Sequence, residues 1–227
     1  RDPVGGRGVA GGDRPGRDVT RFAILLSGRG TNMAAILRFW AHGGRGYPID
    51  ASTPVVAISN RPEAPGLELA REAGLATEVV DHRAQPSREA FEAELLATLS
   101  RHRVDGIVLA GFMRLLSPTF VARFPDRILN THPALLPAFP GLDATGQAVA
   151  AGVKVSGCTI HFVDAGVDSG PIIAQAAVPV LETDTPERLQ ERIQRVEHAL
   201  YPKVIAKVFA GQYEREGRVV ALEGGGP

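Results

Sequence analysis

Several features that would classify a chain at a glance are scarce or missing here. Among 227 residues there is one cysteine, Cys158, so no internal disulfide can form and a reducing compartment is expected. Net charge is absent as well: 25 Lys and Arg balance 25 Asp and Glu, leaving no field to attract nucleic acid or an anionic membrane surface. Any anion must therefore be held locally. No apolar run approaches the ~20 residues of a membrane span, and no His, Cys and Asp spacing matches a metal site. These absences predict a cytoplasmic protein with no metal, no nucleic acid and no membrane among its partners.

What is present is an alternation of short apolar runs with amphipathic stretches, the pattern of strands crossed over by helices. The length suits one domain with a full core. Residues 1–18 carry Gly, Pro and charge without apolar periodicity and are expected to form a disordered extension. They lack the apolar centre of a secretory signal. Phe22 to Leu26, Val55 to Ile58, Ile107 to Ala110 and Ile128-Leu129 read as buried parallel strands, with Thr77 to Val80 a shorter one. Met33, Ile36, Leu37 and Trp40 recur at helical spacing, as do Phe91, Leu95 and Leu99 behind a Ser87 cap. A further helix is expected around Leu67 to Ala73. After Pro140, Thr159 to Val163 and Ile172 to Val180 are joined by a loop too short for a crossover helix, so an antiparallel pair is expected. The last helix opens at Thr185-Pro186 and turns Leu189, Ile193, Val196 and Leu200 inward, with Pro202 expected to kink or restart it. The predicted fold is a single-domain three-layer α/β/α structure. Its sheet is mainly parallel and Rossmann-like, with antiparallel strands in the C-terminal half.

Ser27-Gly-Arg-Gly-Thr-Asn32 lies between the first strand and first helix, where small residues let backbone N–H groups approach a phosphate. The bland alternative is a tight turn with a Thr/Asn cap. Met33 breaks the Gly-x-Gly-x-x-Gly dinucleotide pattern, which favours a monophosphate over NAD. Gly111 to Pro118, directly after a buried strand, is unusually apolar for a loop: it packs under a helix, or it walls a pocket for a flat ligand.

The most informative segment is Asn130-Thr-His-Pro133, followed by Asp168 in Val163 to Pro171. Asn130 and His132 are two apart behind an apolar run, so on a strand both face one side of the sheet. Pro133 keeps His132 extended and ends the strand. An amide, an imidazole and a carboxylate near strand ends suit acyl transfer through a tetrahedral intermediate. A carboxylate beside the histidine favours the imidazolium, a proton donor and electrostatic stabiliser. His161 is expected to be a packing residue or a support behind the site. His42, His102 and His198 are expected at surface or capping positions. Ser156 and Thr159 lie near a histidine, but no Gly-x-Ser-x-Gly elbow supports a serine nucleophile. Gln194 and Glu197, three apart on the last helix, share a face that by default is solvated.

Five blocks in order carry a family resemblance: the Ser27 to Asn32 turn, Leu109 to Arg114, Asn130 to Pro137, Asp164 to Pro171, and Glu197 to Pro202. Over Phe22 to Gly211 the chain resembles the glycinamide ribonucleotide formyltransferases of the formyltransferase fold. The resemblance implies a formyltransferase domain over residues 19–215 and a C-terminal strand or tail over 216–227. It also implies transfer of a formyl group from 10-formyltetrahydrofolate, the co-substrate, to the amine of phosphoribosylglycinamide in purine biosynthesis. By the same token, Asn130, His132 and Asp168 are the catalytic set. Gly30, Thr31, Asn32, Gln194 and Glu197 bind the ribonucleotide. Arg88, Met113, Arg114, Leu115, Leu116, Asn130, Asp164, Ala165, Gly166, Val167 and Asp168 bind the folate. The expected partners are these two small molecules, and the protein is expected to be a monomer or weak homodimer. Departures occur at Asp143-Ala-Thr-Gly146, where members commonly carry a histidine-containing stretch, and at Ala138, where a basic residue is common; neither touches the catalytic set.

Two readings compete. A 10-formyltetrahydrofolate hydrolase shares the Asn, His and Asp chemistry with water as acceptor, but it typically adds an N-terminal regulatory domain for which residues 1 to 20 are too few. A non-catalytic dinucleotide-binding module would bind NAD without formyl transfer. Methionyl-tRNA formyltransferase is disfavoured by the lack of basic excess and of a C-terminal nucleic-acid-binding extension.

Overall fold

A computed structural model describes residues 19–225; the expected 1–18 extension and the last two residues lie outside that range. The apolar runs form the strands of one seven-stranded sheet: β1 (Thr20–Leu26), β2 (Ser52–Ser59), β3 (Ala76–Val79), β4 (Gly106–Leu109), β5 (Ile128–His132), β6 (Val155–Phe162) and β7 (Ile172–Pro179), in the order β3-β2-β1-β4-β5-β6-β7. β1 to β5 are parallel, β6 runs against β5, and β7 runs against β6. The sheet is thus mainly parallel with an antiparallel C-terminal part, as the patterning predicts.

Helices cover both faces, and alternation along each strand decides which face each side chain meets. Ile24, Leu26, Val108, Leu129, Cys158 and Ile160 pack with α1 (Thr31–Ala41), α2 (Gly66–Glu72), α5 (Ala144–Ala150) and α6 (Pro186–Phe209). Ala23, Leu25, Val56, Ile58, Ile107 and Ile128 pack with α3 (Arg88–Arg101) and α4 (Pro118–Val121). Ser87, Ser117 and Thr185 accept backbone N–H groups at the starts of α3, α4 and α6, and Pro118 and Pro186 stand in first turns, where a missing N–H costs little.

Pro202 does not restart the last helix: α6 runs through it as one element of 24 residues. The helix is held there by burial, since Leu200, Tyr201, Val204 and Ile205 are all buried, and the Tyr201 hydroxyl sits 3.0 and 2.9 Å from the Leu109 and Leu129 carbonyls. Packing of that turn outweighs one absent hydrogen bond. β6 begins earlier than the apolar pattern suggests, at Val155. Gly157 lies inside it, where a Cβ would stand 2.0 Å from the Ala176 carbonyl oxygen of β7. Beyond α6 the chain forms a hairpin of β8 (Tyr213–Glu216) and β9 (Val219–Leu222).

Two consequences place a site. Strand order reverses between β1 and β4, so the loops leaving their C-terminal ends diverge and open a crevice, the usual ligand position in such sheets. β5 ends beside it. Leu25, Leu109, Asn130 and His161 are register partners in a line across β1, β4, β5 and β6.

Candidate active site

Pro133 follows β5 immediately, so Asn130 and His132 project from the last residues of the strand, on the face that Ile128 shares with α3. Asp168 arrives from the loop between β6 and β7. That loop is shaped by close approaches. A Cβ on Gly170 would stand 1.7 Å from the Phe162 carbonyl oxygen, and Asp164 Oδ1 accepts from Gly166 N–H and Ser169 Oγ at 3.0 and 2.7 Å. Asp168 has φ 48°, a left-handed conformation that Asp tolerates better than most residues. Arg218, in the β8–β9 turn, donates to the Ser169 carbonyl at 2.7 Å and ties the loop down from outside.

Two of the three predicted groups, His132 and Asp168, meet directly, and the third, Asn130, joins them through His161. Asp168 Oδ2 lies 3.3 Å from His132 Nδ1, and Asp168 Oδ1 lies 3.7 Å from His161 Nε2. His132 Nε2 is 2.8 Å from the Phe139 carbonyl oxygen, so both ring nitrogens face acceptors, an arrangement that the doubly protonated imidazolium satisfies. The segment after Pro133 therefore supplies the Phe139 carbonyl to His132, and also the Gly141 N–H to Asp168 Oδ2 at 2.8 Å. Thr159, fully buried, holds that segment by donating to the Ala134 carbonyl at 2.7 Å and accepting the Leu136 N–H at 2.9 Å. It is a brace, not a nucleophile.

His161 has a definite task that the sequence signal left open. Burial lowers its pKa from the ordinary imidazole value, so the neutral ring dominates near neutral pH. Its Nδ1–H donates to the Phe162 carbonyl at 2.9 Å, which leaves Nε2 to accept from Asn130 Nδ2 at 3.2 Å. That bond fixes which end of the Asn130 amide is the donor, and leaves its second N–H for another acceptor. Cys158 is no rival nucleophile: burial pushes its thiol up to about 12.

Thr131 points the opposite way, toward α6. Its hydroxyl donates to Glu197 Oε1 at 2.9 Å, and Asn32 Nδ2 stands 3.5 Å from Glu197 Oε2. Glu197 is 3% exposed, which overturns the solvated-face reading for it, whereas Gln194 is half-buried. Burial holds the Glu197 carboxyl above its ordinary value of 4.5 despite those two donors. Asn32 Oδ1 is buried without a hydrogen-bond partner. Gly30 precedes α1 in a left-handed conformation at φ 72°, and a Cβ there would stand 2.8 Å from the Gly66 Cα. Only glycine suits that position. The turn is thus pressed on the start of α2, with Thr31 and Asn32 opening α1.

On the far side of the crevice, Met113 and Leu115 are each 64% exposed, while Leu116 and the half-buried Phe112 pack with α3 and α4, so the Gly111 to Pro118 segment is anchored on the core and presents its middle to solvent. An exposed apolar ledge beside polar groups suits a flat ligand. Its other end is held by Glu92 on α3, which accepts the Ser117 N–H at 2.7 Å and the Ser117 hydroxyl, and also Arg88 Nε at 3.2 Å. Arg88 is so placed near the ledge. Arg114, Ala165, Gly166 and Val167 are exposed and Asp164 is half-buried.

Asp143, in the stretch that departs from the family pattern, caps α5 from a left-handed φ of 55°, and its Oδ1 accepts the Gly146 N–H at 3.2 Å. A Cβ on residue 146 would strike that carboxylate at 2.2 Å, so Asp143 and Gly146 form a matched pair.

Fold and site together define a formyl transferase scaffold, and the chain belongs to the formyl transferase family, whose signature matches residues 20–205. It is 40% identical to the phosphoribosylglycinamide formyltransferase of Escherichia coli (strain K12) over 201 residues, covering 88% of this chain and 92% of that protein. It is 46% identical over 191 residues to the trifunctional purine biosynthetic protein adenosine-3 of Drosophila melanogaster, covering 84% of this chain but only 14% of that longer protein. The crystal structure of glycinamide ribonucleotide transformylase 1 from Symbiobacterium toebii superimposes with a TM-score of 0.85 at 50% identity, over 90% of this chain and 94% of that one.

Proposed function

We propose that this chain transfers the formyl group of 10-formyltetrahydrofolate to the amine of phosphoribosylglycinamide, as a cytoplasmic step of purine biosynthesis. The observation that carries this reading is the His132–Asp168 pair, linked to Asn130 through His161, between an anion-suited turn and an exposed apolar ledge. The backbone N–H groups of Gly30, Thr31 and Asn32 take the phosphate, and Glu197 with Gln194 takes the ribose and glycinamide. Met113 to Leu116, Arg88 and the 164–168 loop take the folate.

The neutral amine attacks the formyl carbon, forming the new N–C bond while negative charge gathers on the formyl oxygen. Asn130's free N–H faces that charge, and the His132 imidazolium, whose two N–H groups are held by Asp168 and the Phe139 carbonyl, stabilises it through space. Collapse breaks the bond to N10 of the folate, and the proton lost by the amine is delivered to N10 through water held by Asp168. No covalent enzyme intermediate is needed. Orienting two substrates in one crevice lowers the barrier by up to about 7–11 kcal/mol.

Folate deformylation measured with and without the ribonucleotide tests the proposal. Turnover that depends on the ribonucleotide is expected. Equal turnover in its absence would make water the acceptor and the protein a hydrolase, whereas NAD binding without any deformylation would make it a binding module. The buried Glu197 beside the turn, bonded by Thr131 and Asn32, supports the nucleotide acceptor.

Glu197→Gln separates binding from stability. Its carboxyl is protonated more readily in the folded than in the unfolded chain, so the stability it contributes is full below about 4.5 and declines as pH rises through the folded value. The glutamine variant lacks that decline, and Asn32 can turn its free Oδ1 toward the new amide. Thermal melts are expected to show the variant gaining on wild type from pH 4.5 upward, by about 2–4 °C for each kcal/mol relieved. Ribonucleotide KM is expected to rise about 10- to 100-fold, the worth of a hydrogen bond to a charged group. An unchanged KM would return Glu197 to a structural role.

A further inference from the structure

Ser27 is the last buried residue before the anion-suited turn, and it reaches across the crevice to the ledge. Its backbone N–H donates to the Gly111 carbonyl at 3.0 Å, its hydroxyl oxygen accepts the Met113 N–H at 2.7 Å, and the hydroxyl proton goes to Asn60 Oδ1 at 2.5 Å. Ser27 is 5% exposed and Asn60 1%, so water does not substitute for these bonds. Asn60 follows β2, and its own carbonyl and amide stand 2.9 and 3.1 Å from His82 Nδ1, which anchors it to the segment after β3. The residue after Ser27, Gly28, accepts the Gly66 N–H at 3.0 Å through its carbonyl. One side chain therefore joins the two loops that diverge at the strand-order reversal.

The ledge depends on that join. Met113 and Leu115 offer their side chains to solvent and hold nothing down. Between Gly111 and Ser117 the polar anchors are Ser27 at one end and Glu92 at the other. Leu116 and the half-buried Phe112 pack on the core, but the exposed stretch between them has few buried contacts and belongs to the low-stability end of the fold, so fixing its polar anchor changes its order.

We propose that Ser27 is a positioning residue that couples the two substrate sites: a phosphate seated on Gly28 to Asn32 steadies Ser27, and Ser27 steadies the Met113 to Leu116 ledge for the folate. This rests on the formyl-transfer reading above. The coupling is reciprocal, because each ligand lowers the ordering cost left to the other. Ser27 touches neither reacting group.

Hydrogen exchange on the full chain tests the idea with a readout separate from turnover. In the ligand-free protein, Ser27→Ala is expected to speed exchange at the Met113 amide about tenfold, the equivalent of one modest hydrogen bond, while amides of β4 keep their rates. Ser27→Thr, which retains the hydroxyl, is expected to restore the slow rate. Ribonucleotide added to wild type is expected to slow exchange both at 28–32 and at 111–116; in Ser27→Ala the protection stays at 28–32, and folate KM rises severalfold with less change in kcat. Should Ser27→Ala fail to fold, Ser27→Cys, similar in size with a weakly bonding sulfur, takes its place. Equal Met113 exchange in wild type and variant, or equal protection of 111–116 by ribonucleotide in both, overturns the proposal. Absence of any ribonucleotide protection at 28–32 sinks the functional reading and the coupling with it, whereas the ligand-free difference at Met113 decides the anchoring role by itself.

Discussion

Asp168→Asn is expected to lower kcat by about 10²- to 10⁴-fold, the range for removing a positioned acid–base group, with far smaller changes in the dissociation constants of both substrates. The substitution isolates charge from shape. Asparagine is at home in the left-handed conformation that Asp168 adopts at φ 48°, so the loop keeps its path. Its amide oxygen can still accept the Gly141 N–H that Asp168 Oδ2 now takes at 2.8 Å. What disappears is the negative charge 3.3 Å from His132 Nδ1. Without it the imidazolium loses its partner in a pocket where both histidines are nearly inaccessible, and the water that carries the amine proton loses its acceptor. Because that loss is felt mainly as charge develops, it falls on kcat and not on ground-state binding. Single-turnover rates alongside calorimetric binding decide the matter. A variant with near-wild-type turnover would remove Asp168 from the chemistry.

How much of this was legible beforehand depends on the range of the signal. Alternation over Ile128 to His132 is local, and it correctly put Asn130 and His132 on one face; by the same rule it put Thr131 on the other, yet nothing local says that α6 delivers Glu197 there, 66 positions later. Helical spacing of Leu189, Ile193 and Leu200 marked the inward stripe of α6, and Glu197, four after Ile193 and three before Leu200, lies on that buried face; what the spacing does not say is that Thr131 and Asn32 meet its carboxylate there. Ser27 looked like an ordinary member of a glycine turn. Its bond to Met113 spans 86 positions and follows from strand order, which residue patterns alone do not encode. His161 illustrates the same limit. As a strand histidine it was ambiguous, and only its pairing with Asn130 across β5 and β6 assigns it a direction. At Pro202 it is the restart that fails: a sound local rule is outweighed by the burial of the helix around it.

Asn130 offers the complementary test, because the donor it supplies is neutral and its orientation is fixed from behind. Asn130→Ala is expected to reduce kcat by about 10²- to 10³-fold, the cost of one lost donor to a developing oxyanion. It also strips His161 Nε2 of the N–H it accepts at 3.2 Å. Asn130→Asp is expected to be worse than alanine although it is nearly isosteric. A carboxylate there has no N–H to give, repels charge forming on the formyl oxygen, and faces His161 Nε2 with a negative partner. That partner opposes the burial that keeps His161 neutral, so the imidazole is expected to take up a proton at higher pH than in wild type. The change is visible without turnover, as an upward move of the His161 titration followed by NMR. Rate and titration together discriminate the roles: an aspartate variant as active as wild type would deny Asn130 its place at the oxyanion, and an unmoved His161 titration would deny the contact between the two side chains.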